Sequence, residues 1–209
     1  MKKKEVDGVI NRIIDEMGEK GSHFVVQSEI AFLSPISECY RGFCINPSQL
    51  DKSSFDVEIF LLPVYVPTKM FHFTIGWSLH SGIQSWNATR TQEIARRLAR
   101  DAMPLLERAT HGRKLLNALL SLKKDGVIKV LEAIVVAAAR TGDKKVLQSA
   151  QKKLKEKADV INFPYWGEVV QRTEWIKDNF ETNRDGVNNK LTEWKDYTLH
   201  NLEIDAKYL

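Results

Sequence analysis

The chain has only two cysteines among its 209 residues, and it has no long run of hydrophobic residues. Two thiols are too few for a secreted disulfide scaffold or for a zinc site with four thiolate ligands. The apolar stretch 127–139 is interrupted by Lys129 and Glu132, and the stretch 59–66 contains Pro63. Neither approaches the roughly 20 apolar residues that cross a bilayer, so we expect no transmembrane helix.

The sequence also lacks the short motifs that identify common enzymes. It contains no serine in a nucleophile elbow, no glycine-rich phosphate loop and no His-Glu-x-x-His zinc motif. These absences disfavour an enzyme, and no group of residues indicates a cofactor or a metal ion.

The basic residues 2–4 resemble the start of a signal peptide, but charged residues from Glu5 to Glu16 interrupt any apolar segment after them. We therefore expect a cytoplasmic protein.

The composition is that of an ordinary globular protein. Hydrophobic residues make up 43% of the chain and charged residues 28%, which excludes intrinsically disordered and collagen-like proteins. A chain of this length forms one large domain or two small ones that share an interface. We expect a sheet region over residues 1–88 and a helical bundle packed against it over residues 89–209, because the sequence pattern changes between them.

The spacing of apolar residues predicts an α+β fold. One helical face of apolar residues predicts an N-terminal helix that ends near Gly18. Four strand-like stretches follow, at 24–33, 39–45, 55–62 and 69–79. Their connections are too short for crossover helices, so the strands should form a small antiparallel sheet. Later residues have helical patterns only, at 90–109, 112–122, 126–140, 143–158, 167–181 and 184–201. Pro104 should kink or split the first of these helices.

The charges are segregated along the chain. Residues 1–89 contain 8 basic and 10 acidic residues, residues 90–158 contain 17 and 7, and residues 159–209 contain 6 and 10. The corresponding net charges are −2, +10 and −4, against +4 for the whole chain. The middle segment is therefore a basic helical block, which attracts phosphates or an acidic protein surface. The acidic segment after it can also neutralise the block within the same chain.

The basic block contains no Phe, Tyr or Trp. Proteins that bind single-stranded nucleic acids stack bases on aromatic side chains, so this binding mode is disfavoured. Contacts with nucleic-acid backbones need no aromatic residues, so binding to these backbones is an alternative function for the basic block. The first hypothesis is a non-enzymatic protein-interaction module that binds an acidic protein partner through a basic helical surface. The residues predicted to form this surface are Arg96, Arg97, Arg100, Lys123 and Lys124.

A third hypothesis is an enzyme with an acid/base site on the polar face of the sheet. Strand alternation puts the odd-numbered residues of the third and fourth stretches, among them Phe71 and Trp77, on one apolar face, opposite their polar neighbours. The candidate catalytic residues on the polar face are Glu58, His72 and His80. Histidines beside carboxylates are typical of acid/base catalysis, but the solvated face of an antiparallel sheet has the same pattern.

Cys39 and Cys44 do not predict a metal site. They have opposite parity within one predicted strand, so their side chains should point to opposite faces of the sheet. We expect both to be ordinary packed thiols.

Several short stretches together resemble a family of uncharacterised bacterial proteins. They are Tyr40-Arg41-Gly42-Phe43, Leu62-Pro63-Val64-Tyr65-Val66-Pro67, Gly76-Trp77, Thr141-Gly142-Asp143, Tyr165-Trp166 and Glu193-Trp194. Members of this family of unknown function pair a short β-rich N-terminal region with a helical C-terminal region. The resemblance implies a bacterial cytoplasmic α+β protein and supplies no catalytic or binding residues. The corner at residues 141–143 is similar to that of a single tetratricopeptide hairpin, which favours an interaction role.

Overall fold

The protein combines one antiparallel sheet with eight helices in the residues that the structure describes. This computed structural model describes residues 3–48, 54–71, 75–79, 84–85, 88–124, 126–161 and 164–209. The α-helices are α1 (Lys3–Glu16), α2 (Ala88–Arg97), α3 (Met103–Arg108), α4 (Gly112–Ser121), α5 (Ile128–Thr141), α6 (Lys144–Ile161), α7 (Pro164–Asn179) and α8 (Arg184–Asn201). The strands are β1 (Phe24–Gln27), β2 (Ile30–Leu33), β3 (Cys39–Pro47), β4 (Ser54–Pro63), β5 (Gly76–Ser78) and β6 (Gln84–Ser85). The order of helix, sheet and helices confirms the predicted α+β class.

The sheet is an antiparallel meander in which β1 to β5 are neighbours in chain order. β6 pairs with the first residues of β4. The long β3–β4 pair forms the centre, where Gly42 lies opposite Phe60. A Cβ atom at Gly42 would come within 1.9 Å of the Ala31 carbonyl oxygen, so the close approach of β2 and β3 requires glycine at this position.

The prediction of a single strand over 24–33 is wrong, because the chain reverses at Ser28 and Glu29. β1 and β2 form a hairpin whose two turn residues have φ angles of 50° and 70°. Positive φ at both central positions is typical of a type I′ turn, which usually contains glycine or asparagine. The backbone N–H of Glu29 donates to the carboxylate of Asp7 in α1 at 3.1 Å, which ties the turn to the helix.

The predicted strand at 69–79 is shorter than expected. Residues 69–71 lie in no strand, and β5 begins only at Gly76. Trp77 pairs with Ile59, whereas the ring of Phe71 contacts Phe60, with the ring centroids 4.7 Å apart. Neighbouring residues of β4 point to opposite faces, so Phe71 and Trp77 lie on different faces of the sheet. The prediction that they share one apolar face is therefore wrong.

Both faces of the central strands are covered over most of their length. One face carries Phe43 and Ile59, which are completely buried. The other carries an aromatic cluster in which the ring of Phe32 contacts Tyr40 and also Tyr208, at centroid distances of 5.0 and 5.2 Å. Residues that follow α8 thus help to cover the sheet.

Pro104 splits the predicted helix 90–109, as expected. A π-helical segment covers Leu98–Ala102 between α2 and α3. In a π-helix the carbonyl of Ala99 would accept from residue 104, and proline has no backbone N–H. Instead, the Nζ of Lys20 donates to the Ala99 oxygen at 3.1 Å. The missing backbone hydrogen bond is therefore replaced by one from a side chain of the N-terminal region.

α5 is the central helix of the bundle. Its residues 128–139 are all buried, and α4, α6, α7 and α8 contact it. Gly142 ends α5 with a φ of 76° and starts a tight hairpin into α6. None of the helices within the described ranges is both long enough and apolar enough to cross a membrane.

The proline-bracketed loop after β4 is buried under α8. Val64 and Val66 are fully buried. The Oγ1 of Thr198 in α8 donates to the Val66 carbonyl at 2.9 Å and accepts the backbone N–H of Thr68 at 3.1 Å. One threonine hydroxyl thus satisfies two backbone groups and connects the sheet region to the end of the bundle.

Candidate functional site

Arg96, Arg97 and Arg100 lie on one side of the helical segment that α2 and the π-helical residues form. The opposite side is buried through Ile94 and Leu98, so this side faces solvent. Arg96 and Arg100 are exposed, and Arg97 is half-buried. These three arginines form the arginine face.

Carboxylates of the same segment pair with part of the arginine face. Glu93 accepts from Arg97 at 2.6 Å and from Arg90 at 2.5 Å. Asp101 accepts two hydrogen bonds from Arg100, at 2.6 and 2.8 Å. Hydrogen bonds from these guanidinium groups hold the pKa values of both carboxyl groups below their usual range. Exposed pairs of this kind are weak, so a partner's carboxylates can compete for the arginines.

Lys123 and Lys124 lie in the connection between α4 and α5, not on the helical segment that carries the arginine face. The Nζ of Lys124 donates to the carbonyl of Gly76 in β5, so this lysine is bound to the edge of the sheet. Lys123 is exposed. Within the residues that the structure describes, no hydrogen bond or ion pair joins either lysine to the arginine face. The five predicted residues thus lie on two different elements, and one of them, Lys124, is bound to the sheet.

α6 carries a larger number of cations that the sequence prediction did not select. Its lysines are Lys144, Lys145, Lys152, Lys153, Lys155 and Lys157. Lys144 pairs with Glu181 at 2.6 Å, and Lys155 pairs with Glu174 at 2.7 Å. The acidic segment 159–209 therefore neutralises part of the basic block, which was one of the alternatives that the sequence left open.

Glu58 lies on the face of the sheet that also carries Asp56 and Ser78. The Oγ of Ser78 donates to Oδ1 of Asp56 at 2.8 Å, so the side chains of β4 and β5 meet there as strand alternation predicts. Burial raises the pKa of Glu58, as do the negative charge of Asp56 and a hydrogen bond to it, and the ammonium of Lys124 opposes this rise. His72 and His80, the other two candidates, lie outside the described residues.

The two cysteines are buried free thiols on opposite faces of the sheet. Cys39 pairs with Pro63 and Cys44 with Glu58, positions of opposite parity on β4. Burial raises the pKa of Cys39 to about 12 and also raises that of Cys44. In the parts of the chain that the structure covers, no three His, Cys, Asp or Glu side chains are placed to hold a metal ion together.

Comparison with models of protein families, with curated proteins and with solved structures found no match to this chain. The resemblance to a family of uncharacterised bacterial proteins therefore stays a prediction. The function has to be argued from the chain's own residues.

Proposed function

We propose that the protein is a non-enzymatic interaction module that binds an acidic protein partner through the arginine face. The observation that carries the proposal is the clustering of Arg96, Arg97 and Arg100 on one solvent-facing side of a packed helical segment. Residues 88–102 contain four arginines and two acidic residues, so the carboxylates of this segment leave a net charge of +2. Arg96 has no ion-pair partner among the described residues.

The arginine face is held in place by contacts with the N-terminal region. Ile94 and Leu98 are completely buried beneath it, and Lys20 bonds to the carbonyl of Ala99 in its middle. A surface that is already ordered loses less conformational entropy when it binds. Guanidinium groups also match carboxylates with two parallel hydrogen bonds, which favours an acidic protein surface as the partner.

The experiment compares partner capture by the wild-type protein and two charge-reversal variants. Arg96→Glu with Arg100→Glu changes the arginine face, and Lys145→Glu with Lys157→Glu on α6 is the matched control. All four residues are exposed. We expect one acidic protein to be retained from an extract of the native host by the wild-type and control proteins and to be lost from the arginine variant. Equal loss from both variants, or a captured partner that is not acidic, contradicts the proposal.

Binding to nucleic-acid backbones is the alternative that the same surface allows. Three arginine–phosphate contacts would give a slope of about −3 when the logarithm of the association constant is plotted against that of salt concentration. A duplex DNA of mixed sequence is the probe for this alternative. Binding with that slope, lost in the arginine variant, would replace the protein partner with nucleic acid. We expect no such binding near physiological salt.

Acid/base catalysis on the sheet face is a second candidate function, and the raised pKa of Glu58 beside Asp56 favours it. The reaction requires a histidine in reach of these carboxyl groups. The test is an NMR titration of His72 and His80 in the wild-type protein and in Glu58→Gln. A histidine in the same cleft as Glu58 loses a stabilising negative charge in the variant, so its pKa falls. If both pKa values stay unchanged, this candidate function is rejected.

A further inference from the structure

A cleft of about 420 Å³ lies between the loop after β4 and the helices α7 and α8. The loop contributes Lys69 and Met70, α7 contributes Arg172 and Glu168, and α8 contributes Tyr197. Met70 is 72% exposed and Tyr197 is 41% exposed, so two large side chains with apolar surface border the cleft. Its volume lies within the range of about 300–1,000 Å³ that is usual for small-molecule sites.

Arg172 is held by Glu132 of α5, a buried carboxylate that also pairs with the buried Lys129. Its Nε and Nη2 both donate to Oε1 of Glu132, at 3.2 and 2.7 Å. The other carboxylate oxygen of Glu132 accepts from the Nζ of Lys129 at 2.8 Å. The side chains of Glu132 and Lys129 are only 1% and 5% exposed. Buried charges are tolerated when they are paired and hydrogen-bonded, and here the pairing also fixes the orientation of the guanidinium.

The three side chains together carry one net positive charge. Lys129 and Glu132 lie in the interior, and Arg172 is the member that reaches the cleft, with its side chain 20% exposed. Its Nη1 is 3.8 Å from the carboxylate of Glu168, which is 71% exposed. This distance is too long for a hydrogen bond, and a solvated pair of this kind is easily replaced. Lys69, which is exposed, adds a second positive charge to the lining of the cleft.

We propose that this cleft binds a small ligand with one carboxylate group and an aromatic or apolar body. The carboxylate contacts Arg172 and Lys69, and the body lies against Met70 and Tyr197. A guanidinium whose plane is already fixed recognises a planar carboxylate with two hydrogen bonds, and the tyrosine ring offers a flat surface for stacking. This site is separate from the arginine face and does not rest on the function proposed for it.

Benzoate, benzamide and inorganic phosphate are the probes that test the proposal, in ligand-observed NMR titrations of the full chain. We expect benzoate to bind saturably with a Kd of about 1 mM, as is usual for a ligand of this size. Benzamide has the same shape without the charge and should bind about tenfold more weakly or worse. Phosphate has the charge without the aromatic body and should also bind more weakly.

Arg172→Gln should reduce the affinity for benzoate about tenfold and leave that for benzamide unchanged. Arg113→Gln is the matched control, because Arg113 is a half-exposed, ion-paired arginine that does not line the cleft. Lys69→Gln should weaken benzoate binding about threefold. Because Lys69 is exposed, this variant tests the site even if Arg172→Gln does not fold. The proposal is overturned if benzoate does not saturate, if benzamide or phosphate binds as tightly, or if neither variant weakens benzoate binding.

Discussion

The guanidinium of Arg140 donates from Nη2 to Oε1 of Glu38 at 2.8 Å, and this ion pair connects the bundle to the sheet. The second oxygen of Glu38 accepts the backbone N–H of Gly112 at 2.7 Å. Glu38 directly precedes β3, Gly112 begins α4 and Arg140 lies in the last turn of α5. A single carboxylate thus fixes three elements relative to one another. Arg140 also lies 4.5 Å from the centroid of the Tyr65 ring.

We expect Glu38→Gln to lower the free energy of unfolding by about 1–3 kcal/mol, because the half-buried guanidinium of Arg140 would lose its counter-ion. The double variant of Glu38→Gln and Arg140→Gln should lose about 1 kcal/mol less stability than the sum of the two single losses, since both changes remove the same interaction. Urea unfolding at neutral pH measures these values. Glu193→Gln, which breaks the exposed pair with Lys190, is the control and should change stability by less than about 0.5 kcal/mol. Strictly additive losses would show that the pair does not couple the elements.

The pH dependence of stability should report on Glu58. Its pKa in the folded state is raised above the ordinary value of 4.5, so the folded protein keeps this proton to higher pH than the unfolded chain. The stabilising contribution is complete below pH 4.5 and is lost as the pH rises through the folded-state value. Glu58→Gln has no charge to bury, so we expect it to be more stable than the wild-type protein at pH 7.

The difference between Glu58→Gln and the wild-type protein should shrink as the pH falls toward 4.5. Thermal unfolding between pH 4 and pH 8 measures how this stability difference changes with pH. Glu5→Gln, on the exposed side of α1, is the control. A variant that is less stable than the wild-type protein at pH 7 would mean that the attraction of Lys124 outweighs the effect of burial.

Both thiols should be unreactive in the folded protein. Burial raises the pKa of Cys39 to about 12 and raises that of Cys44 as well, so almost no thiolate forms at pH 8. Without urea, we expect a disulfide reagent to modify neither cysteine within minutes. After urea is added, it should modify both cysteines rapidly. Rapid modification of one thiol without urea would show that its strand opens locally.

Two glycines should respond to alanine with opposite signs. At Gly42 the new methyl group would collide with the Ala31 carbonyl oxygen, so Gly42→Ala should destabilise the protein by about 3 kcal/mol or more. Gly8 lies inside α1, and apart from the backbone of that helix no atom would lie within 4 Å of a methyl group added there. Gly8→Ala should therefore stabilise the helix by about 0.5–1 kcal/mol. Urea unfolding of the two variants measures both effects, and a loss of stability in Gly8→Ala would contradict the expectation.

The helices and the central strands follow from local patterns that the sequence displays directly. Strand alternation correctly separates Cys39 from Cys44, and Pro104 divides the long helix because it has no backbone N–H. The hairpin at Ser28 and Glu29 escapes such patterns because neither residue favours the positive φ angles that the turn needs. The turn is also bonded to the distant side chain of Asp7, a contact that the local sequence does not reveal.

The functional surfaces are harder to predict than the fold, because they depend on contacts between distant residues. Helical periodicity is enough to predict that Arg96 and Arg100 share an exposed side. It does not reveal that Lys124 reaches the sheet edge at Gly76. Nor does it show that Arg172 meets Glu132, because a local pattern contains no information about which face of α7 lies against α5.

The position of Tyr208 on the sheet has a consequence for the order of events during synthesis. Its ring covers Phe32, and its carbonyl oxygen accepts the backbone N–H of Ile36 at 2.8 Å. A ribosome makes the strands long before this segment, so the aromatic side of the nascent sheet stays partly open to water while all the later helices are translated. Exposed aromatic surface of this kind favours aggregation and binding by chaperones. The sheet, which is made before these helices, can therefore be fully covered only after the segment that follows α8 has left the ribosome.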